Sequence, residues 1–160
     1  MSLVSKCPVC KMKVNKSNYR FVFQDQTYVF CSMQCLDRFN DNPHVYIGHP
    51  AKPSPKQKNI QVIKKRSLKV EECLSQQQSL IIVENLSKLM GVKKVEVEQN
   101  YIYISYDLLQ VTEAQVEKEI EATGEILGKS IAEKIRRAFV HYLEDSELSN
   151  LEQAGHSHRH

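Results

Sequence analysis

Residues 7–35 open with Cys7-Pro-Val-Cys10, continue through a twenty-residue insert and close with Cys31-Ser-Met-Gln-Cys35. Each close pair can deliver two sulfurs from one tight turn, and a short insert can bring the pairs together, which is the pattern of a tetrahedral thiolate site. Within the insert, Arg20-Phe-Val-Phe-Gln-Asp-Gln-Thr-Tyr-Val-Phe30 reads as two aromatic and β-branched runs around Gln24-Asp25-Gln26, a hairpin of high strand propensity. Ser32 is placed to cap a helix running to about Asn40, with Leu36 and Phe39 facing inward and Asn42-Pro43 ending it. Cys31 and Cys35 are expected on one side of its first turn, where a helix N-terminus favours thiolates.

The order knuckle, hairpin, helix is the layout of a treble-clef metal module. A segment of about 45 residues rarely buries enough apolar surface to fold unaided, so it needs a staple. In a reducing compartment a metal is the expected staple, worth on the order of 10 kcal/mol. Two disulfides or ordinary buried thiols are the competing reading of the same spacing. Cys7, Cys10, Cys31 and Cys35 are the metal-ligand candidates; zinc is expected if all four close the site, copper(I) if three bind. His44 and His49 are near enough to substitute, but read as solvated loop histidines.

Cys7-Pro-Val-Cys10-Lys-Met12, the hairpin, Tyr28-Val-Phe30-Cys31-Ser32 through Cys35, Phe39 and Asn42-Pro43-His44-Val-Tyr46 resemble the YHS domain, grouped with the TRASH-type metal-binding modules. The family's three cysteines fall on Cys10, Cys31 and Cys35, leaving Cys7 as a fourth thiol. The resemblance implies heavy-metal handling, often in fusion with copper-transport ATPases or metal-responsive regulators. His44 stands where the family commonly carries an acidic residue.

Beyond this segment the chain changes character. It holds 22 Lys plus Arg against 19 Asp plus Glu, a net charge of +3 that makes no case for nucleic acid as a partner. Residues 51–69 hold seven basic residues and no acid, while residues 111–155 hold ten acids and five bases. With Pro50, Pro53 and Pro55 the basic stretch reads as a solvated linker without the aromatics that base stacking requires. The division expected is a four-cysteine module over 1–48, a linker over 49–66, a second domain over 67–145 and a flexible tail over 146–160.

In the second domain Leu68-Lys-Val70 reads as a strand, and Leu80, Ile81, Val83, Leu86, Leu89 and Met90 as a helix ending at Gly91. Val92 to Val97 and Tyr101 to Tyr106 alternate around Gln99-Asn100 as a hairpin. Thr112 begins a second helix with a capping box, Glu113 and Gln115 close by, and a stripe of Val116, Ile120 and Ala122; Gly124 stops it, and Ile126-Leu127 offers a last strand. The sum is an α+β chain: a treble-clef-like module, then a ferredoxin-like βαββαβ sandwich with an extra C-terminal helix.

This order over about residues 67–128 is similar to the heavy-metal-associated domains of copper chaperones and transport ATPases. That resemblance implies a soft-metal site at two cysteines in the loop after the first strand, positions that fall near Ser75 and Gln78. A hydroxyl and an amide cannot replace a thiolate pair, so the transfer site is expected to be lost and the domain to act by shape: on a partner of the same fold, on a second copy as a homodimer, or as a scaffold. Cys73 reads as a small buried thiol at a strand end, with a lone ligand as the alternative.

Ile131, Ile135, Phe139, Tyr142 and Leu143 predict an amphipathic helix over about 130–145 that packs on the sandwich or pairs with another copy. His156, His158 and His160 form either a weak metal-capturing tail or a solvated one. The longest aliphatic run is Leu80 to Val83, against the roughly 18 residues of a membrane span. No signal-peptide core precedes Cys7, and a cytoplasmic location is expected. No Gly-rich phosphate loop or nucleophile grouping is present, and the acids read as solvated charge on helix faces. The sequence thus leads to a non-enzymatic protein of metal sensing, buffering or delivery, with a metal-transport ATPase among its expected partners. A protein-interaction or nucleic-acid-binding module with purely structural zinc is the alternative.

Overall fold

The computed structural model describes residues 5–14, 19–49 and 52–153, and these form two compact units. The first comprises residues up to Gln61 together with those from Glu147 on; the second runs from Val62 to Ser146.

In the first unit, β1 (Ser5–Lys6) and β2 (Lys13–Val14) pair antiparallel around the first cysteine pair. Lys11 adopts φ 66°, and the turn is closed by Lys11 N–H donating to the Cys7 carbonyl at 2.8 Å and Cys7 N–H to the Met12 carbonyl at 2.9 Å. β3 (Tyr19–Phe23) and β4 (Gln26–Phe30) then form the expected hairpin. Gln24 and Asp25 both take positive φ, 52° and 63°, giving a two-residue turn whose twist matches that of the strands. α1 (Met33–Asp41) starts at Ser32, whose hydroxyl accepts the Cys35 N–H at 3.3 Å. The sequence reading stops the helix at Asn42-Pro43, and there the chain starts a further short helix, α2 (Pro43–Ile47), with proline in its first turn.

Phe39 on α1 is the hub of this unit's core. Its ring lies 4.9 Å from Tyr28, 5.2 Å from Phe30, 5.9 Å from Phe23, 6.2 Å from Phe21 and 6.3 Å from Tyr46, centroid to centroid. His44 and His49 are not the solvated loop residues expected: both are half-buried and stack at 4.1 Å. His44 Nδ1 lies 2.9 Å from the Gly48 carbonyl, and His49 Nε2 lies 3.1 Å from the Glu152 carbonyl. The Glu152 carboxylate accepts the His44 N–H at 2.9 Å and the Asn42 amide at 3.1 Å.

In the second unit, β5 (Ile63–Lys69), β6 (Val92–Glu98) and β7 (Tyr101–Asp107) form an antiparallel sheet in the order β5-β7-β6. Leu68 and Val97 both pair with Ile102, and Arg66 and Val95 with Ile104. α3 (Gln76–Ser87) and α4 (Glu113–Ala122) pack on each other, α3 also against β6, and Ile82, Leu86, Val116 and Ile120 are buried. The Thr112–Gln115 capping box forms as read. β5 starts five residues before the expected Leu68, inside the stretch taken as linker. The expected last strand is reduced to one bridge, Val70 to Leu127. The sandwich is therefore the βαββα part of a ferredoxin-like order with a vestigial sixth element.

α5 (Ile131–Gln153) continues through residues read as a flexible tail, and those from Glu147 on belong to the first unit. Its apolar stripe is not the packed face: Ile131, Ile135, Phe139 and Tyr142 are exposed, while Val140 and Glu144 are buried. Nor are the acids all solvated charge. Glu144 accepts from Arg66 at 3.1 Å, from the Tyr106 hydroxyl and from the Glu113 N–H at 2.8 Å. Burial, and then the adjacent Glu117 carboxyl, pushes the Glu113 carboxyl up to about 8. Burial followed by the Glu144 charge pushes the Tyr106 hydroxyl up as well.

Candidate metal centre

The sulfurs of Cys7, Cys10, Cys31 and Cys35 all lie within 4.8 Å of one another. Cys10 Sγ is 3.3 Å from Cys31 Sγ, which is 3.6 Å from Cys35 Sγ, and all four cysteines are free thiols. No disulfide joins them. Sulfurs at about 2.3 Å from a tetrahedral zinc stand about 3.8 Å apart, so the group has the size of such a site before any ion is added.

Three elements place the sulfurs. The reversal at Lys11 sets Cys10 beside Cys7. Cys31 follows directly on β4, and the first turn of α1 carries Cys35. Cys31 thus precedes the Ser32 cap instead of sharing the helical turn with Cys35, yet the two sulfurs meet because the cap residue turns the chain between them. Cys7 and Cys35 are fully buried, and Cys10 and Cys31 keep an exposed edge.

The electrostatics of the group suit a cation. Hydrogen bonds from the Cys10 and Cys35 thiols pull Cys7 far below the ordinary thiol range. Cys35 is pushed far up by its hydrogen bonds to Cys10 and Cys7 and by burial. At Cys10 a bond to Cys35 acts downward, but Cys7, burial and Cys31 outweigh it and raise that thiol. Four crowded thiols cannot all ionise against one another; a soft cation at the centre would remove that conflict.

The second unit has no such group. Ser75 and Gln78 form a reciprocal capping box on α3: Ser75 Oγ accepts the Gln78 N–H at 3.1 Å, and Gln78 Oε1 accepts the Ser75 N–H at 2.9 Å. The positions that the resemblance assigns to a thiolate pair are thus committed to starting a helix. Cys73 is exposed, not buried as expected, because it lies in the loop between β5 and α3 and not at a packed strand end. His156, His158 and His160 lie outside the described residues. Among the described residues, one more group of metal-ligand type occurs, Glu113, Glu117 and His141. Sequence reading missed it, although Glu113 and Glu117 fall on the same helical stripe as Val116 and Ile120, a spacing that marks them as inward-facing.

Compared with known proteins, residues 6–50 match the YHS domain. No curated protein matches the chain. Among solved structures, a CsoZ metallochaperone is 20% identical with a TM-score of 0.38, covering 42% of this chain and 99% of its own. Oxidized MerP from Ralstonia metallidurans CH34 is 18% identical with a TM-score of 0.39, covering 43% of this chain and 100% of its own. No helix among the described residues is long and apolar enough to cross a membrane.

Proposed function

We propose that this chain is a heavy-metal-binding protein of metal sensing, buffering or delivery, whose ion sits among Cys7, Cys10, Cys31 and Cys35. The observation that carries the proposal is the convergence of four unoxidised sulfurs within 4.8 Å. Zinc is the favoured ion, since four thiolates in a compact group suit a closed tetrahedral site; copper(I) is the rival if one sulfur withdraws. The role is binding and not catalysis, in a reducing, cytoplasmic setting where the thiols persist. The expected recipients of a delivered ion are a metal-transport ATPase or another ferredoxin-like domain.

The half-exposed sulfurs of Cys10 and Cys31 favour exchange, since an incoming thiol can attack the ion from that side. The full burial of Cys7 and Cys35 favours the second reading, a protein-interaction or nucleic-acid-binding module in which zinc only staples the fold. Exchange kinetics separate them. Loaded protein mixed with a competing chelator releases its ion within minutes if the role is transfer or sensing, and holds it until unfolding if the ion is a staple. Elemental analysis of protein from unsupplemented and copper-supplemented medium identifies the metal, and a metal-free protein with an ordered first unit overturns the proposal.

A further inference from the structure

We propose that Glu113, Glu117 and His141 form a second cation site in the second unit, one for a divalent ion harder than the ion of the four thiolates. Glu113 and Glu117 lie one turn apart on α4, His141 approaches from α5, and their nearest ligand atoms all lie within 4.8 Å of one another. The decisive atom pair belongs to Glu113. Its side chain is fully buried, and neither carboxylate oxygen has a hydrogen-bond partner. An orphaned carboxylate in that position is heavily unfavourable unless a proton or a cation shares it.

The neighbouring arginines do not fill this role. Arg66 gives its hydrogen bonds to Glu144, and its Nε stays 4.0 Å from Glu113. Arg137 Nε lies 3.8 Å from Glu117 Oε1, outside hydrogen-bond range, and buried nitrogens of Arg136 and Arg137 are themselves unpartnered. His141 Nε2 meets Glu117 Oε2 at 2.7 Å, so the imidazole already points into the group. Two carboxylate oxygens and one imidazole nitrogen suit manganese, iron(II) or cobalt(II) and not copper(I). Arg137 is the built-in competitor: it shares Glu117 with any ion that enters.

The test uses the full chain with its four-sulfur site already filled with zinc, titrated with cobalt(II). The expected result is one further cobalt equivalent with weak ligand-field bands and no thiolate charge-transfer band. That band reports separately on the four-sulfur site, so failure of the function proposed above reads differently from failure here. Glu113→Gln and His141→Ala weaken the second equivalent by roughly 100-fold or more, beyond what loss of a supporting contact costs a metal site. Arg137→Met tightens it, which a merely structural ion network would not do. His141 is partly exposed, so its variant folds even if Glu113→Gln does not. Absence of a second equivalent overturns the site. So does a second equivalent unchanged in His141→Ala, as capture by His156, His158 and His160 would give.

Discussion

The two units treat the same problem, how to start a helix beside a potential metal ligand, in opposite ways. In the first, Ser32 caps α1 and leaves Cys31 and Cys35 on either side of the cap free to converge. In the second, Ser75 and Gln78 cap α3 with their own side chains. A cap that uses one side chain is compatible with a metal site at the helix start; a reciprocal box consumes the positions that would hold the ion. The units also differ in what fills their cores: rings around Phe39 in the first, aliphatic layers with a buried ionic group around Glu144 in the second.

The largest expected break in this contrast comes from Cys31→Ser. Removing one of four ligands forfeits metal binding worth on the order of 10 kcal/mol, so amide resonances of the first unit should collapse while those of residues 62–146 stay in place. Acid should act in the same direction, since the ligands bind as thiolates: metal affinity falls as pH falls, read by competition at stepped pH. Next, Phe39→Ala should cost the first unit about 4 kcal/mol through lost burial and the cavity left among its rings, measured by denaturant unfolding of metal-loaded protein. Glu144→Ala should cost the second unit about 3 kcal/mol, because Arg66 and Tyr106 then keep buried polar groups without their shared acceptor. If the two values changed places, the division into an aromatic and an ionic core would be wrong in emphasis. The smallest effect is that of Ser75→Ala, about 1 kcal/mol from loss of half the capping box, visible as a lower melting temperature with unchanged metal content.

What the sequence disclosed and what it withheld follow from the range of the interactions. The cysteine pairs, the turn at Gln24-Asp25 and the Thr112–Gln115 box are local, spanning a few residues each, and all were legible. The convergence of the pairs was legible too, since the insert between them is short and its hairpin returns the chain. β5 was half hidden because Ile63-Lys-Lys-Arg-Ser-Leu-Lys69 alternates with charged residues, and its lysines resemble those of the preceding linker. The burial of Glu113, Glu117 and Glu144 was hidden more deeply: their partners Arg66 and His141 lie tens of residues away, and a charged residue reads as solvated until its counterpart is placed. The same distance misled the reading of α5. Its polar side, with Glu144 at the centre, finds buried partners, so its apolar stripe is left outward.

The ring assembly around Phe39 also gives the first unit a built-in reporter. Protons held above or beside so many aromatic faces resonate far from their usual frequencies, and they return there as soon as the rings part. A plain one-dimensional proton spectrum, taken while a chelator strips the ion, therefore shows directly whether losing the metal loosens the neighbouring core or leaves it standing.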